Sequence, residues 1–401
     1  MNAPAPTTRF PLARRIQVLA AFILATALLV PLGVLFEQFW TSTGKDREIA
    51  ADERSGVAYL RPLIGLVGAL DEAQSLAVRG QAVDTQKMRN AITAVDDADR
   101  AQGGPLRVQE RWSSLRSQID GMLARADGPG RPAYDAYGQS VDLLLALAVK
   151  VGDESQLILD PEIDTYYLVD TVLLRIPPVV VDGGRAADLP LVVPQVRSEP
   201  DERNEPQPTP EPVQVTAAED RVARAAAAID AGLKKSFDAT ASHTLGSNLI
   251  GQLDAFRSPV SALAPGDALA APSTTRADPA VVAATRIELR TAALALGEAT
   301  LNELDALITV RENALADARS RAVAAAVVGV VIAACILWLR LPDPGRAAPD
   351  PGVEPEQSLD AVAYPVERDL VDARELLADA ELIHVGRALR PPARREPADD
   401  G

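Results

Sequence analysis

The chain has 401 residues, with 56 acidic against 40 basic side chains and a formal net charge of -16. An acidic balance of this size argues against nucleic acid as a partner, because phosphate binding needs a basic surface. Two histidines, His243 and His384, and one cysteine, Cys335, leave little room for zinc sites, disulfides, thiol catalysis or histidine acid–base chemistry. Aromatic residues make up 4% of the chain and apolar residues 47%, mostly Ala, Leu and Val. That composition favours an all-α protein over an aromatic-rich β-sandwich. Only five of the basic residues are Lys (Lys45, Lys87, Lys150, Lys234 and Lys235). Heavy use of Ala, Arg, Asp, Gly and Pro is the mark of a GC-rich bacterial genome.

The first apolar run, Ile16 to Phe36, holds one polar side chain, Gln17. As a helix it spans roughly 30 Å, the thickness of the hydrocarbon layer of a bilayer. Phe36, Phe39 and Trp40 stand where an aromatic belt belongs, and Pro31 is tolerable in a membrane helix as a kink. The run is longer than the apolar core of a secretory signal, and bulky residues rather than a small-residue cleavage site follow it. It therefore reads as an uncleaved anchor over 16–38. Arg9, Arg14 and Arg15 precede it with no acid among them, which holds residues 1–15 in the cytoplasm.

A second run, Ala322 to Leu339, has no charge and is flanked by Arg319, Arg321 and Arg340. It predicts a span over 322–341. Ala325, Gly329 and Ala333 give it small-xxx-small spacing, suited to close helix packing in lipid. Cys335 is expected to pack inside it as a small apolar residue. Two spans place the protein in the cell (plasma or inner) membrane with both termini cytoplasmic. Residues 39–321 then lie outside.

The outer region reads as successive helices. Apolar residues recur at helical spacing from Glu48 to Arg79, with a break or kink expected at Pro62. Further helices are expected over Val83–Ala101, Leu106–Ala126 and Pro132–Leu159. Another begins at Asp160-Pro161, with proline in its first turn, and ends near Pro177. These complete the first half of an extracytoplasmic bundle, 39–185. The composition changes from Gly183: seven prolines fall between Pro190 and Pro212 among five acids. Such a stretch buries too little apolar surface to offset its ordering entropy, so 186–215 reads as a disordered acidic insert. The second half, 216–321, holds helices from Thr216 to His243 and from Leu245 to Leu263, a loop over Pro265–Pro279, and a long last helix.

In that last helix Ile287, Leu294, Leu301, Ile308 and Leu315 recur every seven residues, as they do in helices that pack on other helices. Leu304 and Ala318 partly fill the companion seam; Arg290 and Gly297 do not. No proline occurs between Ala280 and Leu341, so one helix of roughly 90 Å can run from the outer bundle through the bilayer. The tail, 342–401, opens with a proline-rich acidic linker. It then carries a weak amphipathic pattern through Val366, Leu370, Ala373, Leu377, Ala380 and His384, and a basic group, Arg387, Arg390, Arg394 and Arg395, able to touch anionic lipid.

Two segments carry a resemblance. The first is Glu53-Arg54-Ser55-Gly56-Val57-Ala58-Tyr59-Leu60-Arg61-Pro62-Leu63. The second is Leu157-Ile158-Leu159-Asp160-Pro161-Glu162-Ile163-Asp164-Thr165-Tyr166-Tyr167-Leu168-Val169-Asp170, followed by Leu173-Leu174-Arg175-Ile176-Pro177. Together with the layout of span, long helical region and span, they resemble the sensory region of bacterial transmembrane chemoreceptors (methyl-accepting chemotaxis proteins) and related membrane sensors. The resemblance covers residues 10–341 and is specific only at these two segments. Residues 342–401 are too few for the methylated signalling hairpin of such receptors, or for the catalytic domain of sensor kinases and cyclases.

Asp160, Asp164, Tyr166, Tyr167 and Asp170 form the densest polar cluster. On a helix Asp160 and Asp164 share a face, as do Tyr166 and Asp170. Arg54, Tyr59 and Arg61 are expected to face the same interior, where an arginine can hold a carboxylate in two hydrogen bonds. These eight residues either bind a small polar ligand or brace the bundle: the 160–170 cluster by capping and phenol-to-carboxylate bonds, while the arginines have the further alternative of solvated or membrane-proximal charges. No Walker loop, G-x-S-x-G, CxxC or H-E-x-x-H occurs, and no catalytic residue, metal or cofactor is expected. The expected function is that of a non-enzymatic receptor, with the lipid bilayer, a second copy of the chain and a cytoplasmic signalling protein in trans as partners. The alternative is an envelope scaffold that binds other proteins through its outer helices.

Overall fold

A computed structural model describes residues 12–125, 128–160, 162–192, 210–264 and 278–340. The described residues are helical, with no strand among them. Helix α1 runs over Leu12–Val78, α2 over Thr85–Ala98, α3 over Gln109–Arg125 and α4 over Arg131–Glu154. A single 3-10 turn, Leu157–Leu159, leads to α5 (Ile163–Val169) and α6 (Ile176–Val192). Then follow α7 (Pro210–Ala239), α8 (Leu245–Leu263) and α9 (Pro279–Arg340).

Of the kink or break expected at Pro62, the break is absent: helix α1 runs on through it. A proline inside a helix costs about 3 kcal/mol. Here Tyr59, Leu60, Leu63 and Leu66 flank it and are wholly buried, and packing of that face outweighs the lost hydrogen bond. The helix expected to begin at Asp160-Pro161 starts at Ile163 and outlasts its expected end. A π-helical turn over Asp170–Arg175 joins α5 to α6, and the Ile176 N–H donates to the Thr171 carbonyl. Pro177 and Pro178 follow directly, where the regular ladder is already interrupted and a missing N–H costs less.

The insert expected over 186–215 is shorter at both ends. Ala186–Val192 are the last turns of α6, with Asp188 wholly buried, and Pro210–Val215 begin α7. Burial of Ala186, Ala187, Leu189 and Val192 is what extends the helix past the change in composition. Residues 193–209, most of the loop at 265–277, the N-terminal eleven residues and the tail lie outside the described residues, as do the expectations made for them.

Beside a second, smaller cluster of Val78, Ala133, Leu189 and Val192, the helices share a main hydrophobic core, with α4 against α1, α7 against α6 and α8 against α9. Its axis is the antiparallel pair α1–α9. The heptad seam of α9 is partly right. Leu301, Leu304 and Ile308 are buried, yet Ile287 is 53% exposed. The buried stripe instead follows Leu289, Ala293, Leu296 and Thr300. The two misfits have their own reasons: Arg290 pairs with Asp71 and Glu72, and Gly297 admits the side chains of Ile176 and Ile64.

Beyond the core, α1 and α9 project as two apolar arms. Both are long and apolar enough to cross a membrane, and the most apolar windows are 0% and 6% buried. The core helix of a soluble protein shows the reverse. The arms touch: a Cβ on Gly329 would lie 2.9 Å from Leu32 Cδ2. At their base the Arg319 guanidinium stacks 4.0 Å from the Trp40 ring centroid and donates to the Trp40 carbonyl. Cys335 is exposed on its arm rather than packed, because the contact with α1 runs through the Gly329 face.

Candidate functional site

The two segments quoted above meet in space, and Arg311 of α9 is the group that joins them. Its Nη1 donates to Glu53 Oε2 at 2.9 Å. Its Nη2 donates to both Asp160 oxygens, at 3.0 and 3.1 Å, and lies 3.1 Å from Glu162. Thr165 is 3.4 Å away. One guanidinium thus serves three carboxylates. Glu53 is wholly buried and its second oxygen, Oε1, has no hydrogen-bond partner; Arg311 Nε is likewise buried and unpartnered. Burial, then the Asp160 charge, push the Glu53 carboxyl up to about 7, against the pull of Arg311.

Local sequence makes this junction. Asp160 Oδ1 also accepts the Glu162 N–H at 2.9 Å, which holds the two acids close together. Gly56, one turn beyond Glu53 on α1, faces Ser155 and Leu157. Any Cβ there would come within 2.8 Å of Leu157 Cδ1 and collide with Ser155, so glycine is what lets the end of α4 close onto α1.

A second buried junction lies farther along the same pair of helices. Arg286 Nη2 donates to Asp71 Oδ1 and to the Asp71 carbonyl, both at 2.7 Å, and Nη1 donates to Asp188 at 2.9 Å. Arg79 and Gln74 also approach Asp188, and Arg290 approaches Asp71. Burial raises the Asp188 carboxyl above its ordinary range; Arg286 opposes the shift and Asp71 adds to it. Gly184 of α6 sits against this group: a Cβ would fall 2.9 Å from Arg286 Nη2 and overlap Asp71.

The eight residues singled out from sequence do not form one pocket. Asp160 is at the Arg311 junction, but it precedes α5 with an extended backbone and shares no helical face with Asp164. Asp164 instead accepts its neighbour's N–H from Thr165, and its carbonyl accepts from Ser236 of α7. Tyr166 is 46% exposed and packs edge-on against Tyr167. Tyr167 accepts a hydrogen bond from Lys235 at 3.1 Å. Asp170 pairs with Arg175. Arg54, Tyr59 and Arg61 point different ways. Arg54 pairs with Asp305 and Glu312, and Arg61 with Glu298 and Asn302, on the outer side of α9. Tyr59 is buried and donates to Asp99 at 2.9 Å, and burial, then that bond, raise its hydroxyl far above the usual phenol range. Sequence reading missed Glu53, Arg311, Asp71, Asp188 and Arg286. Their available signal was charge on an otherwise apolar helical face, as at Arg290 in the heptad seam.

These ion pairs join elements distant in the chain. Among the described residues, no group of three or more His, Cys, Asp or Glu side chains is placed to hold a metal ion. Open volume lies instead at the end of α1 remote from the apolar arms. A cleft of about 310 Å³ is bounded by the α1–α2 loop, the end of α3 and the start of α4. The chain matches no protein-family model, no curated protein and no solved structure.

Proposed function

We propose that the chain is a membrane-anchored, receptor-like protein without enzymatic activity. Its apolar arms cross the bilayer, its helical region lies outside, and both termini lie in the cytoplasm. It senses an outer condition and passes a helix displacement to a signalling protein in trans, as a homodimer. One observation carries this reading: α1 and α9 each run without a break from an exposed apolar arm into the core, and Arg319, Arg311, Arg61, Arg290 and Arg286 cross-brace them along the way. Two rods so braced move as a unit, and a small shift at one end appears at the other. The meeting of the two receptor-like segments at Arg311 supports the resemblance, since residues 107 positions apart, Glu53 and Asp160, serve one guanidinium.

The test uses the full chain with Cys335 replaced by Ser, in native membranes. The L32C/G329C pair should form an intrachain disulfide, the protein should resist carbonate extraction, and single cysteines introduced at Gln81 and Glu162 should react with an impermeant maleimide from outside only. Release by carbonate, or labelling only after lysis, overturns the reading. A second reading, an envelope scaffold, is favoured by the exposed Leu159, Ile163 and Tyr166 beside the Asp160 turn, since exposed apolar groups so close together suit a protein partner. A membrane pull-down that loses its captured partner on Leu159→Ser/Ile163→Ser would favour it.

A further inference from the structure

We infer that the cleft at the remote end of α1 is a binding site for a small, uncharged, largely apolar molecule such as a monocyclic or bicyclic aromatic. Its volume, about 310 Å³, sits at the low end of small-molecule pockets, roughly 300–1,000 Å³, and is too small for a helix or a peptide. Ala77, Val83, Met122, Leu123, Ala133 and Tyr137 supply the walls. Gln81 and Thr85 bring polar side chains to the mouth, and among the described residues that line the space none is charged. Against these described walls a charged ligand would lose its hydration with no counter-charge from them, whereas an apolar one gains by burial.

The cleft is built from converging termini rather than from a gap in packing. Gly80, with a positive φ of 68°, ends α1, and its open side faces Pro129. The Gly130 N–H donates to the Val78 carbonyl at 3.0 Å, tying the start of α4 to the end of α1. Asp84 caps α2 through the N–H groups of Gln86 and Lys87, so Thr85 and Val83 are held at the rim. Met122 offers a flexible, polarizable side chain that moulds to an aromatic ring.

The position gives the site a consequence, which rests on the sensory reading. Ala77 lies on the wall of the cleft, and Arg79, two residues on, reaches Asp188 in the buried Arg286 junction. A ligand that shifts the last turn of α1 therefore acts on the group that braces α1 to α9.

The chain contains three methionines, Met1, Met88 and Met122, which makes the test direct. Full-length protein carrying [13C-methyl]methionine in lipid nanodiscs is titrated with indole, phenol and cyclohexanol. Met122→Leu assigns the Met122 methyl signal. At least one aromatic probe should move that signal saturably while Met1 stays fixed. Val83→Trp, or Thr85→Trp at the exposed rim should the first variant unfold, should abolish the shift with the melting temperature retained. No saturable shift with any probe, or a shift unchanged in a folded blocked variant, overturns the site. Disulfide yield of the L32C/G329C pair is read in the same samples: saturation at Met122 with no change in yield keeps the site and counts against the sensory relay alone.

Discussion

Arg311 and Glu53 form an ion pair at 2.9 Å in which the carboxylate is wholly buried and keeps one oxygen without a hydrogen bond. Such a pair is costly to break from one side, because the survivor is a buried charge without its counter-charge. Arg311→Ala is expected to lower stability by about 3 kcal/mol, the lower end of the range for an orphaned buried charge, since Glu53 can take up a proton near neutrality. Glu53→Gln in the same background should recover part of the loss. Urea unfolding of the two variants and the parent checks both signs.

The same carboxyl sets a pH dependence. In the unfolded chain Glu53 titrates near its ordinary 4.5, and in the folded protein at about 7. Between these values the folded state binds a proton that the unfolded state does not, so stability falls as pH rises through this window. The groups around it are Asp52, Asp160, Glu162 and Arg311. The raised carboxyl of Asp188 contributes with the same sign from its own ordinary value upward. Glu53→Gln should remove on the order of 2 kcal/mol of the fall. Unfolding midpoints at pH 5.0 and 7.5 should therefore lie closer together in the variant than in the parent.

Glycines separate into two kinds. Gly184→Ala places a methyl against Asp71 and Arg286 and should cost about 1–3 kcal/mol, as overpacking does. Gly251 lies within α8 with nothing near its missing Cβ. There Gly251→Ala should raise stability by about 0.5–1 kcal/mol through reduced backbone entropy. Thermal denaturation of the two alanine variants gives opposite shifts.

Arginines divide in the same way. Arg286 is 3% exposed and serves two buried aspartates. Arg286→Ala should destabilise by about 3–5 kcal/mol. Arg54 and Arg61 pair with α9 on the half-exposed side, and Arg54→Ala or Arg61→Ala should each cost less than about 1 kcal/mol, as surface pairs do. Chemical denaturation of the three variants orders them.

The helical class, the two apolar stretches and the unbroken last helix are legible in the sequence because each rests on a run or a period. What failed was whatever depends on neighbours distant in sequence. Pro62 and Pro177 look like breaks until their helices are seen to be held by buried faces on other elements. Ala186–Val192 look like the start of a proline-rich insert, although Asp188 is the counter-charge of Arg286, 98 residues away. The polar cluster at 160–170 was visible, but its partner was not. Arg311 stands in helix α9 as one arginine among several, and only the register of α9 against α1 selects it. Proximity in sequence groups Tyr59 with Arg54 and Arg61, whereas five residues of helix turn it about 140° from Arg54, inward to Asp99.

Because α9 is continuous from Arg311 to the first residue of its apolar arm, the stretch between them acts as a ruler. One inserted residue there would rotate everything beyond it by about 100° and advance it by about 1.5 Å, parting Gly329 from Leu32 while Arg311 stays seated on Glu53. A seven-residue insertion would restore nearly the original angle, offset by about 20°. Phase, more than composition, is what this rod must conserve.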